Sequence, residues 1–277
     1  TTEAIERPTG VLNFISGGID TGMPMEFALQ ILHSPERDRL FEAIFAYQAN
    51  HEMGQAGDLS QFSNTWKFQQ PLVTLLPLEI LDKLDLNNVP FLNVLNALVY
   101  LVVIGSMCYL SILCLAGDDS NATFAGSWSI VGLAIMATIA FHPIFSTLVK
   151  GHIQMWITAF FTGACIAWVR GRYSAAGALV ALMAVISPQF GFFLLWAALW
   201  AQWQFCIGFL AVFAPLVGIS LWAYGLHNNI GYVQVLSELA ARGERFWQNE
   251  SISGIVHRLI DGPGALLADG NFYAPYR

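Results

Sequence analysis

The amino-acid sequence predicts an all-α, polytopic transmembrane protein with an extracytoplasmic juxtamembrane region. Three observations carry that expectation. Hydrophobic residues make up 56% of the 277 residues and charged residues only 11%, against about 25% charged in soluble domains. A water-soluble fold of this length has too much surface to hide so apolar a chain. The apolar residues also gather into runs approaching the ~20 residues that span a bilayer. Finally, charge is uneven: residues 1–90 hold 12 Asp and Glu against 5 Lys and Arg, whereas residues 91–277 hold 7 of each. An acidic, water-facing first part and a lipid-embedded remainder follow. The acidity argues against nucleic acid as a partner, since that ligand selects basic patches.

In chain order, residues 1–90 read as an extracytoplasmic loop region. Within it PMEFALQIL (24–32) and DRLFEAIFAYQ (38–48) repeat apolar positions at helical spacing. Such helices either lie in the membrane interface or build a small cap with its own core. A transmembrane core over 91–226 follows, with about five to six helices. Its runs are 91–116, 128–149, 153–169, 173–201 and 205–226. Ser187-Pro188 interrupts the fourth, because proline removes a donor and disfavours helix at the residue before it. That run is one kinked span or, the favoured reading, a hairpin of two short helices. Pro215 is expected to kink the last run. Residues 227–277 form a second extracytoplasmic segment.

Orientation follows from the basic turn Arg170-Gly171-Arg172, which the positive-inside rule places in the cytoplasm. Span parity then puts residues 1–90 and the turn at 150–152 outside. The start, TTEAIERPTG, lacks the basic region and apolar run of a signal peptide, so an upstream transmembrane helix is expected. The aromatic DGNFYAPYR at the other end suggests that the chain continues there too. Cys108, Cys114, Cys165 and Cys206 all sit in apolar stretches without metal-ligand spacing, and read as small packing residues.

No GxGxxG, GxxxxGK[ST], HExxH or GxSxG motif is present, which removes nucleotide loops and the common hydrolase signatures. What remains is polar residues at membrane–water boundaries. Lys150, His152 and Gln154 cluster at an outer turn, with His142-Pro143 deeper in the preceding run. They form either a phosphate or sugar site or a polar turn whose lysine snorkels. Asp20 follows a Gly-Gly pair and Asp58 lies in QAGDLSQ; either is a general base or a loop carboxylate that caps and solvates. Arg242, Arg245 and Arg258 follow the last span, to grip a lipid phosphate bidentately or to anchor a helix on anionic headgroups.

Three blocks taken together resemble the polyprenol-phosphate-dependent glycosyltransferases of family 87. KFQQPLVTLLPLEIL (67–81) is similar to the family's proline segment before an early span. HPIFSTLVKGHIQMWITAFFTGACIAWVRGRYSAAGALVALMAVISPQFGFFLLW (142–196) is similar to its Gly-Gln turn, Arg-Gly-Arg link and proline break. WQNESISGIVHRL (247–259) is similar to its Asn-x-Ser…Arg-Leu segment. Here the turn reads Gly151-His152-Ile153-Gln154, where the family has Gly-Gln directly, and serine precedes Pro188, where lysine often stands.

The resemblance implies a GT-C fold in a bacterial inner membrane, with hexosyl or pentosyl transfer on the extracytoplasmic, cell-envelope side. The donor would be a polyprenyl-phosphate sugar, with no metal and no separate cofactor. Asp20 matches the family's base by position, with Asp58 as alternative. Lys150, His152, Gln154, Arg242, Arg245 and Arg258 would bind substrate. A second reading is a non-catalytic relative serving as a structural subunit, its Trp156, Trp168, Trp196, Trp200 and Trp203 packing against partner membrane subunits. A transporter is a third, weakened by the absence of paired intramembrane charges.

Overall fold

The structure, a computed structural model, describes residues 22–35, 37–41, 43, 68, 70–87, 89–115, 124–141, 144 and 153–242. Among them all regular secondary structure is helical. In chain order the α-helices are α1 (Gly22–Leu32), α2 (Leu76–Lys83), α3 (Val89–Leu115), α4 (Phe124–Ala140), α5 (Gln154–Val169), α6 (Tyr173–Ile186), α7 (Phe192–Leu199) and α8 (Trp203–Arg242). Short 3-10 turns cover Arg37–Arg39, Leu72–Leu75 and Pro188–Gly191.

Two of these helices, over Phe91–Cys114 and Trp203–Gln234, are long and apolar enough to cross a membrane. Shorter apolar helices cover Val131–Ala140, Gln154–Val169, Tyr173–Ile186 and Pro188–Leu199. The expected second run, 128–149, is not one helix. Phe141 has already left it, two residues before Pro143, whose ring disfavours a helical predecessor. Large apolar side chains face outward throughout, among them Leu199 at 85% exposure and Trp222 at 87%. An outward apolar surface of this extent suits lipid rather than water.

The chain divides into two units, Thr1–Met23 with Val73–Ile219, and Pro24–Leu72 with Ser220–Arg277. In the first, α3 packs against α4 and α5, and α5 against α6. Helices α3 and α5 run parallel. The Trp156 indole N–H donates to Asn96 Oδ1 at 3.2 Å, and roughly 20 Å further along both helices the Arg170 guanidinium lies 5.2 Å over the Tyr109 ring. Helix α6 returns along α5, as the approach of Gly163 to Leu179 requires. The main core joins Ile157, Ala164 and Ala167 of α5 to Ala176, Val180 and Met183 of α6, Ala197 of α7 and Phe205 and Phe209 of α8.

The turn between α5 and α6 shows how sequence sets this geometry. Arg172 N–H bonds Ala167 O at 2.8 Å and Gly171 N–H bonds Trp168 O at 2.9 Å. Together with Gly171 at φ 69° this is a Schellman ending, which satisfies carbonyls the helix leaves open. The same pair of bonds closes α2 at Asp85 and α7 at Ala201, both with φ 54°.

After Ile186 the backbone is extended at Ser187 (φ −139°, ψ 100°), and Pro188 opens a 3-10 turn. The chain then folds back. Trp168 touches Tyr173 at the start of α6 (centroids 4.9 Å apart) and also Trp196 in α7 (5.7 Å). A continuous kinked helix would carry Trp196 more than 30 Å from Tyr173 at the rise of ~1.5 Å per residue. The first turns of α6 and α8 cross so closely that a Cβ on Gly177 would collide with Phe205 O, and one on Gly208 with Ser174 O. Only glycine permits that approach.

The second unit is built around a break in α8. Pro215 sits inside the helix, and the backbone departs from helical angles at Gly225 (φ 75°, ψ 161°). The freed carbonyls are met by side chains: Arg37 donates to Ala223 O (3.1 Å), Asn228 Nδ2 to Tyr224 O (3.0 Å) and Asn229 Nδ2 to Gly225 O (2.7 Å). Such replacement is what makes a break in an apolar helix tolerable. Asn228 also accepts from Leu40 N–H at 3.0 Å and donates to Arg37 O at 2.9 Å. Phe41 stacks on Phe68, meets Tyr232 at a tilt and lies against Gly231, where an added Cβ would come within 3.0 Å of its ring.

Candidate functional site

Polar side chains in the first unit collect at two ends of the α3–α5 pair, and the ends differ in chemistry. At the end where both helices finish, Arg170 and Arg172 are the charged residues that the described chain holds between Val89 and Trp203, both exposed. Arg170 lies over the Tyr109 ring, and Trp168 and Tyr173, which touch one another, bracket the turn in sequence, Trp168 also meeting Trp196. Cations set among amphipathic rings are what a membrane–water boundary collects.

Among the described residues, the opposite end, where α3 and α5 begin, holds uncharged hydrogen-bonding groups. Gln154 is the first residue of α5 and is exposed. Its neighbours pin it: Met155 is buried with Val99, Val103 and Ile144, and Trp156 bonds Asn96. One turn earlier on α3, Asn93 is buried at 5% exposure. Helix α2 leads into the same end of α3 through the turn at Asp85, and its one buried residue is the carboxylate Glu79. An apolar end that keeps three amides and an indole can hydrogen-bond a polyol or a sugar ring.

Of the residues singled out in the sequence, Gln154 lies at this end and Arg242 is the last residue of α8 in the other unit. Asp20, Asp58, Lys150, His152, Arg245 and Arg258 lie outside the described residues, as does His142. Trp156, Trp168 and Trp196 pack within this chain, while Trp200 and Trp203 face outward. Sequence reasoning passed over Glu79, Asn93 and Asn96. A pattern was available for each. Leu72, Leu75 and Glu79 share a helical face by spacing, and the two asparagines fall three apart inside an apolar run, which also places them on one face.

Comparison with known proteins gives one family. The model of glycosyltransferase family 87 matches residues 71–272. No curated protein and no solved structure matches the chain.

Proposed function

The chain belongs to glycosyltransferase family 87, and from that premise we propose that it is a polytopic membrane enzyme moving a sugar from a polyprenyl phosphate to an acceptor hydroxyl. The observation that carries the reading is the extent of the match, which runs from the proline segment at Pro71, through the Gly151–Gln154 turn, to the segment around Arg258. The outward apolar surface of α3, α7 and α8 supports a lipid setting for that chemistry.

In this reading the α3 and α5 starts face the extracytoplasmic side of a bacterial inner membrane, and the Arg170–Arg172 turn faces the cytoplasm. Asp20 accepts the proton of the acceptor hydroxyl as its oxygen attacks the anomeric carbon. The bond from that carbon to the phosphate oxygen breaks, and polyprenyl phosphate departs with the electron pair. Lys150, His152 and Arg258 neutralise the phosphate as its charge develops, with Gln154, Arg242 and Arg245 as further substrate-binding residues. The leaving group is already stabilised, so the residues need only position, deprotonate and balance charge.

The test is transfer by the purified full chain from a panel of polyprenyl-phosphate hexoses and pentoses. Wild type is expected to release polyprenyl phosphate with one of them, and Asp20→Asn to lose at least ~100-fold in kcat. Unchanged turnover in Asp20→Asn, with loss in Asp58→Asn, moves the base to Asp58. No transfer from any lipid-linked donor rejects the reading.

A further inference from the structure

Four helix ends of the first unit meet at one level. Trp168, in the last turn of α5, touches Tyr173 at the start of α6 (4.9 Å), Trp196 near the end of α7 (5.7 Å) and Phe205 in the first turn of α8 (6.0 Å). The last turns of α3 reach the same level, since the Arg170 guanidinium lies 5.2 Å over the Tyr109 ring. What this level presents to the outside is of two kinds. Val169, Leu199, Trp200 and Trp203 are exposed at 51%, 85%, 68% and 64%. On the same rim both arginines of the Arg170-Gly171-Arg172 turn are exposed.

Neither guanidinium has a carboxylate on these helices: the described residues from Val89 to Ile219 contain no Asp or Glu. The Tyr109 ring attracts the Arg170 charge and offers it no anionic oxygen. Exposed cations ordinarily need no partner beyond water. These two stand on a rim whose tryptophans and leucine suit a bilayer boundary, where water is shared with lipid headgroups. The anionic oxygens found at that depth belong to phosphodiesters, which match the planar fork of a guanidinium. Two positive charges without a countercharge also select among headgroups. A zwitterionic lipid brings its own ammonium to the turn, whereas an anionic lipid brings net negative charge.

We propose that the Arg170–Arg172 turn is a binding site for the phosphate headgroup of an anionic phospholipid in the leaflet that it meets. The site needs only the outward apolar surface and is independent of the transferase reading. Asp118 and Asp119, which follow α3 in sequence, are the competing anions within the chain. The lipid-linked donor is the competing phosphate outside it. The experiment distinguishes each of them from a phospholipid.

The purified full chain in detergent is titrated with phosphatidylglycerol, phosphatidylcholine or polyprenyl phosphate, and bound lipid is counted by native mass spectrometry. Each arginine near an anionic headgroup contributes a factor of about five, so phosphatidylglycerol is expected to bind about thirtyfold tighter than phosphatidylcholine. That preference should fall to about fivefold in Arg170→Gln or Arg172→Gln and vanish in the double variant. It should also shrink as salt rises. Lys83→Gln, which removes an exposed cation from α2, should retain it. Equal binding of the two phospholipids by the wild type overturns the proposal without recourse to any variant. A preference that persists in the double variant overturns it too. Polyprenyl phosphate that binds tighter than phosphatidylglycerol, and loses that advantage in the double variant, assigns the turn to the donor lipid and rejects the phospholipid. A preference seen only after Asp118→Asn and Asp119→Asn are combined means that those carboxylates hold the arginines, and rejects the site in the native chain.

Discussion

The indoles of Trp168 and Trp196 lie with their centroids 5.7 Å apart and their planes at 49°, although all of α6 and the Pro188 turn separate them in sequence. That contact closes the α6–α7 hairpin over the end of α5. Tilted aromatic pairs contribute ~1 kcal/mol beyond the area they bury. A double-mutant cycle of Trp168→Ala and Trp196→Ala, read by thermal unfolding in detergent, should therefore show coupling of about 1 kcal/mol. Additive losses would mean that the hairpin is held elsewhere.

Gly177 and Gly208 make the crossing of α6 and α8 a backbone contact. In an open helix, glycine to alanine gains about 1 kcal/mol. Here the methyl meets carbonyl oxygens that cannot move without shifting a helix, so Gly177→Ala and Gly208→Ala should each cost ~1–3 kcal/mol. Gly218, with open space around its Cα, is the control. Gly218→Ala should be neutral or stabilising in the same unfolding assay.

The ends of α5 and α7 share one motif with different residues at its left-handed position, Gly171 at φ 69° and Ala201 at φ 54°. A side chain there costs roughly 1 kcal/mol. Ala201→Gly is expected to raise unfolding free energy by about 0.5–1 kcal/mol, and Gly171→Ala to lower it by a similar amount. Gly171 has nothing within 4 Å of an added Cβ, so its change reads conformational strain without a clash. Two shifts of the same sign would contradict the motif.

How much of this was legible in sequence depended on what each cue means beside lipid. The start of α5 at Gln154 and its end at Arg170 follow from polar residues bracketing an apolar run, a cue that lipid sharpens. Pro188 announced its break because the residue before proline must be extended. Pro215 lies inside the helix, where neighbours can accommodate a proline, whereas Gly225 breaks α8, with Asn228, Asn229 and Arg37 bonding the carbonyls around it. With 24 glycines in the chain, nothing local marked that one. Glu79 was missed for a related reason. A carboxylate in a helix reads as the wet face, which Asp82 and Lys83 of the same helix do occupy while Glu79 does not.

Asn228 satisfies three backbone groups at 2% exposure. Asn228→Ala strands Leu40 N–H and the carbonyls of Arg37 and Tyr224 together. Each unsatisfied buried group costs ~1–3 kcal/mol, so the variant should lose at least ~3 kcal/mol, and hydrogen exchange at Leu40 should accelerate. Asn229→Ala removes donors to Ser220 O and Gly225 O from a less buried position, and should cost less. The opposite ranking would place the weight of the break on Asn229.

The bond from Trp156 to Asn96 fixes the first turn of α5, and with it the direction in which Gln154 leaves the helix. Trp156→Phe keeps a ring beside Phe160, 6.3 Å away in the native protein, and removes the N–H alone. Interhelical hydrogen bonds in membranes contribute ~0.6 kcal/mol on average, so stability should barely change. If Gln154 contacts the donor, a looser turn is felt in binding: about 1 kcal/mol of misplacement corresponds to a roughly fivefold rise in KM for the lipid-linked sugar, with kcat nearly constant. Asn96→Asp retains an acceptor for the indole and should keep KM near the wild-type value, whereas Asn96→Leu should match Trp156→Phe. An unchanged KM in both Trp156→Phe and Asn96→Leu would confine this bond to helix packing.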